Sequence, residues 1–114
     1  MKFFSTTFFQ VRNYDSPYYT ALMRLAQIMH RRGFEKDAEL LYQHILLLFK
    51  EKMVLSAEPY NHYGVFLTDV KRYDDAIKVF EQAMEIEPRN PDHMVNLAWV
   101  KETLGALGQV LKIR

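Results

Sequence analysis

The sequence predicts an all-α protein built from stacked helical hairpins. Three observations carry that expectation. Apolar residues recur at i, i+3, i+4 and i+7 over helix-length stretches, basic pairs close two of those stretches, and the pattern occurs more than once in the 114 residues. Tyr73, Ala76, Ile77, Phe80, Ala83 and Met84 form the clearest stripe, one face of a helix that runs into the Pro-bounded turn at Pro88. Upstream, Tyr60, Tyr63, Gly64 and Leu67 make a second stripe between a candidate cap at Ser56 and the pair Lys71-Arg72. Cations in a last turn and the acids Asp74-Asp75 in a first turn both complement the helix dipole. Residues 57–90 are therefore expected to be two antiparallel helices joined by a tight turn.

The same pattern opens earlier. Leu22, Leu25, Ala26 and Met29 repeat the first stripe and end in Arg31-Arg32. Gly33 is a helix stop, and Ala38, Tyr42 and Ile45 repeat the second stripe. Ala38 and Ala76 are 38 residues apart, so an insertion separates the copies, with Met53 to Ser56 the natural place for it. The organisation expected is a possible half-repeat helix within 1–18, a repeat with insertion at 19–56, a full repeat at 57–90 and a truncated third repeat at 91–114. In the half-repeat, Phe4, Phe8 and Val11 match Ala38, Tyr42 and Ile45 when the period is run backwards. In the third copy, Asn90 caps, Pro91 suits the first helical turn, and Met94, Leu97 and Ala98 carry the stripe toward a stump near Val110.

Residues 57–90 resemble the tetratricopeptide repeat family, a 34-residue helix–turn–helix with the pattern W-x2-L-G-x2-Y, A-x3-F and a closing Pro. Tyr60, Tyr63, Gly64 and Leu67 occupy the first four slots, Ala76 and Phe80 the next pair, and Ala83 and Pro88 the last. Residues 19–52 match more loosely, with Lys50 in place of the closing Pro, and Lys101 stands at the tyrosine slot of the third copy. The resemblance implies a right-handed α-solenoid of about two and a half repeats. Independently of the family, helices ~8–10 Å apart need small residues where they cross. Gly64 and Ala76 are expected to supply that crossing in one hairpin, and Ala26 and Ala38 in the other.

Composition excludes several functions. The formal charge of +1 gives no general attraction to nucleic acid or anionic membranes. The longest apolar run, Ile45 to Phe49, is far short of the ~20 residues of a membrane span. The Phe-rich start is interrupted by Ser5, Thr6 and Thr7 and reads as mature structure rather than a signal peptide. Without cysteine there is no disulfide, thiolate nucleophile or Cys-type zinc site, which suits a cytoplasmic or other reducing intracellular compartment. The four histidines, His30, His44, His62 and His93, form no metal-ligand motif, and no phosphate-binding or nucleophile-elbow stretch occurs. No enzyme activity, metal or cofactor is expected.

In a stacked array the first helices of successive hairpins line a concave surface. Met23 and Gln27 in the first copy, Asn61 and Val65 in the second, and Val95 and Trp99 in the third are the candidate partner-binding residues: an apolar strip with amide neighbours. That combination suits a peptide segment whose apolar side chains sit on the strip while its backbone bonds to the amides. One subset of the tetratricopeptide family clamps a C-terminal carboxylate with Lys and Asn residues and a Lys/Arg pair. Here Met23, Gln27, Asp92 and Asn96 stand in those places, so no carboxylate clamp is expected. The function expected is a protein-interaction scaffold. The alternatives are a slice of a larger solenoid or a subunit that self-associates through apolar ends, and, with less support, a helical-repeat RNA binder.

Overall fold

A computed structural model describes residues 17–113, with side chains described to residue 108. Every regular element among them is helical: α1 (Pro17–Arg31), α2 (Glu35–Glu51), α3 (Glu58–Asp69), α4 (Tyr73–Ile86) and α5 (Pro91–Ile113). The helix expected within residues 1–18 falls almost wholly outside the described residues. The chain divides at residues 59 and 60 into two compact units.

In the first unit α1 packs on α2. Tyr19, Met23, Ile45 and Phe49 form its apolar cluster, with Leu22, Leu48 and Val54 against it. The Tyr19 and Phe49 rings meet edge to face, with centroids 5.0 Å apart, the arrangement that the ring quadrupole favours. The buried side of α1 is thus Tyr19, Met23 and Ala26. The expected stripe was displaced from this: Leu25 is exposed and Leu22 only half-buried. Two series of helical spacing were present in the same segment, and the one that brings an aromatic ring onto Phe49 is the one buried. On α2, Ala38, Tyr42 and Ile45 are buried as their spacing requires, and Phe49 joins them.

The second unit holds α4 and α5 in contact and seats α3 against α4 at Gly64. A Cβ built on Gly64 would lie 2.5 Å from the Phe80 ring, so only a residue without a side chain fits there. Phe80 is fully buried beside Ala76, Val79 and Ala83. The close approach at Gly64 is therefore to the Phe80 ring, where the expectation had paired Gly64 with Ala76.

The two helical hairpins turn in the same way, bond for bond. In the first, Arg32, Gly33 and Phe34 donate their N–H groups to the carbonyls of Ile28, His30 and Met29; in the second, Val70, Lys71 and Arg72 donate to Phe66, Thr68 and Leu67. Each residue of the second set lies 38 positions after its counterpart. The pattern closes orphan carbonyls at a helix end and needs one left-handed residue. Gly33 takes that conformation at φ 88°, and Lys71 takes it at φ 67°. Lys71 thus holds a backbone position for which glycine is suited, besides its charge at a helix end. Met53, at φ 59°, ends α2 in a similar way, with Val54 N–H on the Phe49 carbonyl.

The third copy departs from expectation. Gly105 lies 34 residues after Lys71, where a turn would fall, yet α5 runs unbroken from Pro91 to Ile113. No stump is set off as a second helix. The sequence after Gly105 has no acidic first turn like Asp74-Asp75, so continuing the i→i−4 bonds satisfies its backbone at least cost.

Replacing Lys71 by Gly is expected to raise stability by about 0.5–1 kcal/mol, because the left-handed penalty outweighs the entropy that glycine loses on folding. Gly33→Ala should lower it by a similar amount. Urea unfolding at constant m-value measures both, and a destabilised Lys71→Gly protein would contradict the turn assignment.

Candidate functional site

The second unit carries an open depression of 350 Å³ lined by Asn61, His62 and Val65 from α3 and by Asp92, Val95 and Asn96 from α5. Three of the six candidate residues, Asn61, Val65 and Val95, therefore share one surface. Val65 is 41% exposed and Val95 63% exposed. Trp99 follows Val95 by one turn of α5 and is 46% exposed. Thr103 donates its hydroxyl to the Trp99 carbonyl.

The other two candidates lie on α1 in the first unit. Met23 is 5% exposed and belongs to the apolar cluster with Tyr19, Ile45 and Phe49, so it is a core residue and not part of a binding surface. An unbranched thioether fills an irregular gap next to two aromatic rings well. Gln27 is half-buried on α1.

What places α5 against α3 is a polar cluster that the apolar periodicity did not reveal. The expected stripe of Met94, Leu97 and Ala98 is offset by one residue at its start: Met94 and Ala98 are exposed, Leu97 is half-buried, and His93 and Val100 are buried. The His93 ring is 1% exposed, with Nδ1 3.0 Å from Asn61 Oδ1 and Nε2 2.9 Å from Glu87 Oε1. Asn90 donates its side-chain amide to the same Glu87 oxygen at 3.0 Å and accepts the Asp92 N–H at 3.0 Å, capping α5. Asn61, expected as a free groove amide, is thus also a structural partner of a buried histidine. A cue existed in the sequence: a histidine three residues after a helix cap, with an acid just before that cap. An amphipathicity count scores His93 as polar and passes over it.

The hydrogen bonds from Asn90 and then His93 hold the Glu87 carboxyl below its ordinary value of 4.5. Among the described residues no group of three His, Cys, Asp or Glu side chains converges to hold a metal ion, and no helix is long and apolar enough to cross a membrane. No protein-family model matches the chain, and neither a curated protein nor a solved structure matches it.

Folding lowers the Glu87 pKa, so its stabilisation is complete above the ordinary carboxylate range and is lost as pH falls through the lowered value. Acid unfolding of Glu87→Gln is therefore expected to depend less on pH, between about pH 5 and 3, than that of the parent protein. Identical pH profiles for the two would show that Glu87 is not coupled to folding.

Proposed function

We propose that the chain is a tetratricopeptide-like interaction module whose hairpins stack as a right-handed solenoid and which binds a peptide segment along its first-helix surface. The observation that supports this best is the depression beside α3 and α5. Exposed Val65 and Val95 stand there next to the amides of Asn61 and Asn96, and exposed Trp99 extends the apolar strip by one turn. Apolar side chains of a peptide would sit on Val65, Val95 and Trp99, and its main chain would bond to the amides. The recurrence of one turn geometry at a spacing of 38 residues supports the repeat reading.

The ligand favoured is neutral, apolar or basic. Asp92 borders the depression and no Lys or Arg lines it, so a terminal carboxylate would find no cation there. The same lining disfavours RNA, which needs a basic groove. No catalytic step is assigned to the chain, and a reducing intracellular compartment fits its lack of cysteine.

Self-association is the second reading, and exposed Met94, Leu104 and Leu107 on α5 favour it. Sedimentation across a range of concentrations separates the two, because a strict monomer has no self-association to explain.

A displayed library of random peptides selected on the protein provides a ligand of known sequence. Val95→Asp and Trp99→Ala are expected to weaken that peptide by about tenfold or more each, the effect of losing a central anchor. Val95→Asp should stay close to the parent's unfolding midpoint, since Val95 is 63% exposed, and binding by Trp99→Ala is compared well below its own midpoint, because Trp99 is also partly buried. Undiminished binding in both would remove the site from this face.

A further inference from the structure

We propose that the proton on His93 decides which end of the Asn61 amide faces the depression, and so whether that surface offers a ligand a hydrogen-bond donor or an acceptor. The effect on a ligand rests on the peptide-binding reading above; the switch itself is a property of the folded chain alone.

The geometry sets the alternatives. The His93 ring nitrogens face Asn61 Oδ1 at 3.0 Å and Glu87 Oε1 at 2.9 Å. An amide oxygen and an ionised carboxylate have no hydrogen to give, so with Oδ1 facing Nδ1 both contacts are hydrogen bonds only when the ring carries a proton on each nitrogen. Glu87 is held in its ionised form by the Asn90 amide, which donates to the same oxygen at 3.0 Å. When the ring loses one proton, the charged carboxylate retains the N–H on Nε2. The Nδ1 lone pair then faces Oδ1, two acceptors with no hydrogen between them beside a buried ring, which is unfavourable. Turning the Asn61 amide over brings Nδ2 to Nδ1 and restores the bond with no movement of the backbone.

The amide has two ends, and Asn61 is half-buried at the wall of the depression. With Oδ1 on the charged ring, the NH2 group is left for a ligand, and it matches a peptide carbonyl. With Nδ2 on the neutral ring, the carbonyl is left, and it matches a peptide N–H. The titratable groups that line the depression beside Asn61 are His62 and Asp92. Arg89, in the turn between α4 and α5, is exposed.

Long-range proton–nitrogen correlation spectra of 15N-labelled protein read both partners in one sample, across about pH 5 to 8 where histidine titrates. The expected result is a doubly protonated His93 ring at the acid end and an Nε2–H neutral ring at the alkaline end. The Asn61 side-chain amide should shift with the same midpoint. An Asn61 amide that does not change through the His93 titration would overturn the proposal. So would a neutral ring protonated at Nδ1, which leaves Asn61 as an acceptor at every pH. In Asn61→Asp a carboxylate accepts in either orientation, and the doubly protonated ring should persist to higher pH than in the parent; an unmoved midpoint would count against the contact. His93→Gln keeps hydrogen-bonding capacity, and its Asn61 amide should be independent of pH. Titration of that amide in His93→Gln would assign the effect to another group and overturn the proposal. These spectra need no ligand, so they can fail while the peptide-binding reading, tested at Val95 and Trp99, survives.

Discussion

Gly64 against the ring of Phe80 is the contact on which the second unit depends. A residue with no side chain lets α3 settle on a fully buried aromatic ring, where any Cβ would come within 2.5 Å of it. That approach sets the position of α3, and with it the outward faces of Asn61 and Val65. Glycine in a helix interior weakens the helix by about 1 kcal/mol relative to alanine. Its presence at a buried position is explained by close packing, which recovers more than the intrinsic loss through buried ring area.

The polar cluster then fixes α5. Asn61 reaches across from α3, Glu87 from the end of α4, and His93 is buried between them on α5. Such a cluster is costly if any member is left unpaired, and here each ring nitrogen has an oxygen within 3.0 Å. On α3 and α5 the residues Val65, Val95 and Trp99 are exposed. The amide that a peptide would use is one that the fold also uses. For this reason Asn61→Ala confounds binding with stability, whereas Val95→Asp does not.

Periodicity made the helices legible, and small residues made the hairpins legible. The helical character of 19–52 and 57–90, the turn at Gly33 and the burial of Ala76, Phe80 and Ala83 follow from spacing and from residue size. What spacing left undecided was the side of α1 that is buried, because Leu22 and Leu25 share the segment with Tyr19 and Met23. Only the partner ring of Phe49, thirty residues on, selects between them. His93 escaped for a different reason: hydropathy ranks a histidine as solvated, while its burial depends on two partners that are distant or across a turn. In the third copy, repeat arithmetic gave a separate stump near Val110, although nothing local, Gly105 included, compels a break in the helix. A glycine permits a left-handed residue; it does not require it.

The most direct measurement is a double-mutant cycle on Gly64→Ala and Phe80→Leu, read by urea unfolding. On an open helix face Gly64→Ala would stabilise by about 1 kcal/mol, whereas overpacking at a fixed ring should destabilise by about 1–3 kcal/mol. The account requires a destabilising Gly64→Ala whose cost shrinks by about 0.5 kcal/mol or more in the Phe80→Leu background. A stabilising Gly64→Ala, or the same cost in both backgrounds, would contradict it.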